Sequence, residues 1–252
     1  STAAAPRNLL DNSNFLSPVN QRGLYEYTGA TYTADRWRTW GANDVIKLSG
    51  NGVNVVGQGL FQYLEKGAVQ SWKTYTVACE DSDGVKHVKS GVLSDGIYGD
   101  VISFKIDSND KPFVSLNAEH TYIWAALYER TYSADTLPEY QPKGYAEERL
   151  ACTRYFMVAN AWRPIYGNVS WNGQISLTVP TPVEMCINPT GTVIKGTLYV
   201  NGVNIDINEN PANVIKTSNG LQVILSTKAE ANAKHNCAIE INDTAIYFSA
   251  DL

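Results

Sequence analysis

The side chains in this sequence best suited to chemistry are aromatic rings set beside polar groups. The chain carries six Trp, 15 Tyr and six Phe, and the excess of Tyr over Phe favours rings with a polar edge at a surface as well as rings in a core. One concentration is Asp35-Arg36-Trp37-Arg38-Thr39-Trp40, running into Gly41-Ala42-Asn43-Asp44, together with Ser71-Trp72-Lys73-Thr74-Tyr75. A second gathers Trp162, Arg163, Tyr166 and Trp171. Flat rings stack on the apolar faces of sugar rings while neighbouring polar side chains take the hydroxyls. On that chemistry Trp40, Trp72 and Tyr75, with Arg38 and Asn43, are the candidate saccharide contacts. Trp37 reads instead as a buried anchor. Trp162, Arg163, Tyr166 and Trp171 are candidates for a tip surface or a subunit interface.

Other chemistries find little support. The sequence has no Gly-x-Ser-x-Gly, no His-Glu-x-x-His, no phosphate-binding loop and no strand-to-helix glycine fingerprint, so neither nucleophilic nor nucleotide chemistry is indicated. Glu147 and Glu148 are adjacent carboxylates, but neighbours on a helix point about 100° apart, and they read as a solvated first turn rather than a catalytic pair. Asp81-Ser82-Asp83-Gly84 opens like a calcium loop, yet the position that needs a bidentate Glu is Val92, which leaves a plain turn. Cys79, Cys152, Cys186 and Cys237 are far apart and the three histidines form no metal-ligand spacing, so free buried thiols are expected. Twenty Lys and Arg against 25 Asp and Glu, a net charge of −5, argue against nucleic acid as a partner. No run approaches the roughly 18 apolar residues of a membrane-spanning helix, so no membrane insertion is expected.

The elements that must position these rings are strands. Asn51, Asp83, Asp95, Asn172, Asn201 and Asn219 are each followed by Gly, a pair that accepts the positive φ of tight hairpin turns. Ile102, Phe104 and Ile106 alternate with Ser103 and Lys105, and Ile175, Leu177 and Val179 with Ser176 and Thr178. Leu198 to Ile207, around Asn201-Gly202, reads as a hairpin with one wet face. Only Gly144 to Phe156, with helix formers and early carboxylates, predicts a short helix, and Pro138 and Pro142 stiffen the passage before it. The expected organisation is an all-β chain with a β domain over 1–139, a proline linker and helix over 140–156, and a β domain over 157–252. The last strand must be paired within its sheet or by another chain. The Ser/Thr/Ala/Pro opening reads as linker, so the sequence is expected to be the C-terminal piece of a longer polypeptide.

Two stretches carry a resemblance. Asn8-Leu9-Leu10-Asp11-Asn12-Ser13-Asn14-Phe15, then Tyr32-Thr33-Ala34-Asp35-Arg36-Trp37, resembles the opening of carbohydrate-binding jelly-roll domains of bacteriophage and prophage tail proteins. Trp124 to Glu129, Tyr132 to Pro142, and Ala146 to Phe156 with its Cys-x-Arg-Tyr are similar to the strand, linker and helix that close such domains in tail fibre proteins. The ending Tyr247 to Leu252 is similar to their C-terminal strand. The resemblance implies an N-terminal jelly-roll β-sandwich and a C-terminal sandwich-like tip or trimerisation domain. It further implies a non-catalytic tail fibre or receptor-binding protein of the virion, assembled in the bacterial cytoplasm. Its partners would be host cell-surface polysaccharide, two further copies of itself in a homotrimer, and other tail proteins. Related jelly rolls often hold a structural calcium near the Asn-x-x-x-Asn opening, with an acidic residue after its Phe. Leu16 stands at that position here, so no cofactor is expected, with a structural calcium in the jelly roll the alternative that the resemblance leaves open. The alternatives are a binding module of a secreted bacterial glycosidase and a tail-borne glycan depolymerase.

Overall fold

The computed structural model describes residues 6–159, 165–170, 172–192, 194–200, 202–229, 236–241 and 246–251. Strands take 48% of the described residues and helix 5%, so the fold is all-β. The chain divides into two compact units, 1–149 and 150–251. The division falls within α1 (Tyr145–Thr153), the one α-helix among the described residues.

The first unit contains β1 (Glu26–Thr28), β2 (Val45–Ser49), β3 (Gly52–Val56), β4 (Leu60–Tyr63), β5 (Thr74–Asp81), β6 (Lys86–Val92), β7 (Ile97–Tyr98), β8 (Ile102–Ile106), β9 (Pro112–Leu116) and β10 (His120–Tyr128). They form a six-stranded antiparallel sheet, β1-β2-β3-β10-β5-β6, and a four-stranded one, β4-β9-β8-β7. The alternating residues of both sheets share one core, in which Val53, Val55, Val77 and Leu127 of the larger sheet join Leu60, Phe104, Val114 and Leu116 of the smaller. Trp37 is fully buried there, with its ring edge-on to Phe15 at 5.1 Å and its indole N–H donating to the Asn12 carbonyl at 2.8 Å.

Tyr75 is a correction to the sequence reading, because it is a core residue with no exposed surface. It is in phase with Val77 and Cys79 on the inner face of β5, packs edge-on against Phe104 at 5.4 Å, and its hydroxyl accepts the Gln70 N–H. A ring enclosed in this way presents no face to a ligand. The outer face of the six-stranded sheet is covered in turn. Leu137 and Tyr140, in the proline-bounded passage, pack with Ala78, Trp124, Ala126 and Tyr128, and Tyr140 stacks parallel on Trp124 at 4.9 Å.

The second unit contains β11 (Phe156–Ala159), β12 (Ile165–Val169), β13 (Gln174–Pro180), β14 (Thr190–Gly191), β15 (Ile194–Val200), β16 (Val203–Glu209), β17 (Asn213–Thr217), β18 (Gly220–Lys228), β19 (Asn236–Ile241) and β20 (Ile246–Ser249). A seven-stranded sheet, β16-β15-β19-β12-β13-β18-β17, and a three-stranded one, β11-β20-β14, share a core that includes Leu177, Leu198, Val223, Ile239 and Phe248. The final strand, β20, is flanked on both sides within its own unit, which removes an open edge.

Four of the Asn-Gly and Asp-Gly pairs close antiparallel neighbours, β2 to β3, β5 to β6, β12 to β13 and β17 to β18. In the fifth, Gly202 precedes β16, which pairs with β15, while Asn201 lies outside the described residues. The sixth, Asp95-Gly96, ends a 3-10 turn between β6 and β7, with Gly96 at φ 72°. The Asp81 loop is a turn, its carboxylate accepting the N–H groups of Asp83 and Val85 at 3.0 Å. The four cysteines are free thiols; Cys79, Cys152 and Cys237 are buried and Cys186 is half-buried.

Candidate functional site

The aromatic residues that share a surface lie on the outer face of the four-stranded sheet. In β4, Leu60 points to the core and Gln62 is buried beneath the sheet, so Phe61 and Tyr63 point outward. Register extends that face across the sheet. Phe61 lies opposite Ser115 of β9, which lies opposite Ser103 of β8, which lies opposite Tyr98 of β7. In the next row Tyr63 lies opposite Phe113, which lies opposite Lys105. Arg38 pairs with Phe61 as a bridge, through Arg38 N–H to Phe61 O at 2.9 Å and Phe61 N–H to Arg38 O at 3.0 Å, and so continues the sheet by one partner.

Trp40, two residues on, reaches the same face. Its ring lies over Phe61 at 3.7 Å and meets Phe113 edge-on at 5.4 Å, with Tyr63 at 6.4 Å. Phe61 and Phe113 are almost wholly buried and form a floor, whereas Trp40 is 43% and Tyr98 61% exposed. Polar groups border the rings. The Lys105 ammonium lies 5.4 Å from the Phe113 ring and 5.5 Å from that of Tyr98, and the Lys111 ammonium lies 5.8 Å from the Tyr63 ring. The Arg38 guanidinium stacks on Tyr32 at 5.0 Å. The Tyr63 hydroxyl donates to Asp107 at 3.3 Å, and burial followed by that carboxylate raises its pKa, which keeps it a donor. Burial works to raise the Asp107 carboxyl too, but the N–H groups of Lys111 and Asn109, with the Tyr63 hydroxyl, together hold it below the usual carboxylate range.

Buried polar groups fix this surface from below. Gln62 and Asp11 exchange two hydrogen bonds, Asp11 N–H to Gln62 Oε1 at 2.9 Å and Gln62 Nε2 to Asp11 O at 2.7 Å. Arg36, at φ 75°, donates from its guanidinium to the Tyr63 carbonyl at 2.7 Å and to the Asp11 carboxylate at 3.2 Å. The loop after Trp40 is pinned by Asp44, whose carboxylate accepts the Gly41 N–H at 2.8 Å and the Gln58 N–H at 2.7 Å. A Cβ on Gly41 would fall 2.4 Å from that carboxylate, so a side chain there would displace the loop that carries Trp40.

The Asn-x-x-x-Asn opening is committed to protein contacts. Asn8 Oδ1 accepts the N–H groups of Leu10 and Leu127, and Asn12 donates to the carbonyls of Val19 and Asp35 while accepting the Val19 N–H. The nearby oxygens of Leu10, Asp11 and Glu148 face the Lys143 ammonium at 2.9, 3.4 and 3.6 Å. A fixed ammonium among these oxygens is a poor fit for a calcium ion there. Among the described residues no group of three His, Cys, Asp or Glu is placed to hold a metal.

Glu148 also corrects the sequence reading. Glu147 is solvated, but Glu148 is buried beneath α1, accepting the Asn12 N–H and facing Lys143. The turn of about 100° between adjacent helix residues sends one carboxylate outward and the other inward. Burial, which outweighs the Asn12 N–H and Lys143, raises its pKa. A carboxyl raised on folding contributes stability that is complete below its unfolded pKa and is lost as pH rises through the folded value. The Glu148→Gln variant, isosteric with the protonated acid, is therefore expected to match the wild type near pH 4 and to gain on it as pH rises above 4.5. Melting temperatures across pH 4 to 7 check this; a difference independent of pH contradicts it.

The remaining sequence candidates fall as follows. Arg38 and Trp40 belong to the aromatic face, and Asn43 is exposed in the loop just after it. Trp72 is 71% exposed in the turn before β5, its ring 5.6 Å from the Lys73 ammonium, and no ring contact joins it to the Trp40 cluster. Tyr166 is 68% exposed on the outer face of β12, opposite Ala238, which lies between it and Tyr199 of β15. Trp162, Arg163 and Trp171 lie outside the described residues. Tyr63, Tyr98, Lys105 and Phe113 were missed, although the alternation through Ile102, Phe104 and Ile106 already put Lys105 on the face opposite the core. Among the clefts elsewhere on the first unit, two are larger than 300 Å³. One of about 360 Å³ lies between Leu16, Tyr25, Leu48 and Tyr145, and one of about 580 Å³ lies along Asn51, Asn54, Ser82 and Thr121. Neither gathers rings as the four-stranded face does. In comparison with known proteins, no family model, curated protein or solved structure matches the chain.

Proposed function

We propose that this chain is a non-catalytic attachment protein that holds host cell-surface polysaccharide on the outer face of the four-stranded sheet. The observation that carries the reading is the assembly of Trp40, Phe61, Tyr63, Phe113 and Tyr98 on one face, bordered by hydroxyl, ammonium and guanidinium groups. Exposed rings take the apolar faces of sugar rings, and the fixed polar rim supplies hydroxyl partners and orientation. Two sheets sharing a core, with ligand on the outer face of the smaller, suit a jelly-roll sandwich of the carbohydrate-binding kind. A bacteriophage tail fibre is the setting we infer for it, on the resemblance of the Asn8 to Phe15 and Trp124 to Phe156 stretches.

An attachment role also agrees with the carboxylates. Glycoside hydrolysis needs an acid with a raised pKa beside the substrate. On this face Asp107 is held low, and the carboxyl that is raised among the described residues, Glu148, is engaged with Asn12 and Lys143. The direct test is retention of the intact chain on purified host-surface polysaccharide without release of new reducing ends. Reducing ends appearing with time would instead favour a depolymerase. A shallow face of a few rings binds weakly, and three copies on one particle would multiply it. Light scattering at micromolar concentration is expected to give three chains per particle, and a single-chain particle would contradict the trimer.

A further inference from the structure

We propose that the saccharide held on this face is acidic: a sugar bearing a carboxylate, whose ring lies against Trp40 and Tyr98 and whose charge is taken by Lys105. The inference rests on the reading of the face as a saccharide site and names the class of sugar. In a chain of net charge −5, three cations, Lys105, Lys111 and Arg38, stand on or beside this face, with the ionised Asp107 near Lys111. Lys105 extends between the Phe113 and Tyr98 rings, Lys111 approaches Tyr63, and Arg38 stands opposite Phe61. Of the neighbouring carboxylates, Asp107 acts on Lys111 but makes no ion pair with Lys105 or Arg38, and its oxygens are already hydrogen-bonded. Asp107 accepts N–H groups from Asn109 and Lys111 and the Tyr63 hydroxyl, and Asp110 pairs with Lys66 at 3.2 Å.

Among the described residues, Lys105, Lys111 and Arg38 have no carboxylate within ion-pair distance. The Arg38 Nε–H is buried without a hydrogen-bond acceptor. Aromatic faces hold these cations in place and desolvate them in part, but a ring offers no lone pair to an ammonium. A carboxylate supplied by the ligand completes that arrangement, and an ammonium flanked by two rings sits where the charge of a stacked uronic acid would fall. A neutral sugar would leave the cations as they are and gain only the stacking.

The test compares alginate, polygalacturonate and hyaluronate fragments with the same fragments after reduction of their carboxylates to alcohols, using calorimetry on the intact chain. At least one acidic member is expected to bind, its reduced form to bind at least about tenfold more weakly, and the difference to shrink between 50 and 500 mM salt. Lys105→Met is expected to cost the acidic member about tenfold and the reduced form little. Lys47→Gln, an equal change of net charge on the other sheet, is expected to leave both unchanged. Equal binding of acidic and reduced forms, or no binding by any acidic member, overturns the acidic assignment. Acidic binding that survives Trp40→Ala unchanged overturns the site itself, which separates the two failures.

Discussion

Replacing Trp40 by alanine is expected to weaken saccharide binding about thirtyfold, the roughly 2 kcal/mol that removal of a central aromatic contact costs. One side of its ring is spent on Phe61 at 3.7 Å, and its 43% exposure leaves surface free for a ligand. The floor beneath cannot replace it. Phe61 and Phe113 are 2% and 6% exposed, held at the level of the strands by β4 and β9, and would meet a sugar only after it had lost its flank. The fold is expected to survive, because Asp44, not the indole, holds the Gly41 loop. Trp40→Phe keeps a ring and is expected to recover part of the affinity. Wild-type binding by Trp40→Ala, with an unchanged near-ultraviolet circular dichroism spectrum, would move the site elsewhere.

The largest expected effect on stability is at Trp37. Its side chain is fully enclosed, and truncating a buried Trp to alanine costs about 3–5 kcal/mol, a large share of the 5–15 kcal/mol that typically holds a domain folded. The indole also donates to the Asn12 carbonyl, and the Trp37 backbone exchanges hydrogen bonds with Thr33 and Ala34 to close the turn that leads into Arg38 and Trp40. Loss of Trp37 therefore loosens the approach to the binding face as well as the core. Urea unfolding of Trp37→Ala should show the full cost, and Trp37→Phe, which keeps most of the packing and loses the N–H donor, about 1–2 kcal/mol. A Trp37→Ala protein within 1 kcal/mol of wild type would show that the Trp37 packing is not what holds the unit.

The sequence makes the all-β architecture plain, because Asn-Gly turns and period-two alternation are local signals. Trp37 as an anchor and Trp40 near a loop are legible for the same reason. Tyr75 goes astray on neighbourhood, since Trp72 next to it is exposed. Strand parity carries the better signal, because Tyr75, Val77 and Cys79 fall on one side of β5. The covered outer face of that strand is a different matter. Thr76 and Ala78 are buried under a passage more than 50 residues later, and no local pattern announces such a cover.

The site is only half legible. In Leu60-Phe61-Gln62-Tyr63 the polar residue points inward, to the Asp11 backbone, and the aromatics point out, which inverts the pattern from which burial is ordinarily read. Tyr98, Phe113 and Lys105 come from three different strands and become neighbours through register alone. Glu148 is buried by a partner 136 residues earlier, which no inspection of its own helix could supply.

The most direct measurement is ¹⁹F nuclear magnetic resonance on the intact chain with all six tryptophans replaced by 5-fluorotryptophan, titrated with the polysaccharide fragment that binds. The Trp40 line is identified by its absence in Trp40→Phe. Buried Trp37 and Trp124 supply internal references, because neither opens to solvent by more than a few per cent. The Trp40 line is expected to shift in proportion to occupancy while those of Trp37 and Trp124 stay in place. A titration that saturates with the Trp40 line unmoved, while another tryptophan line shifts, would contradict binding on the four-stranded sheet.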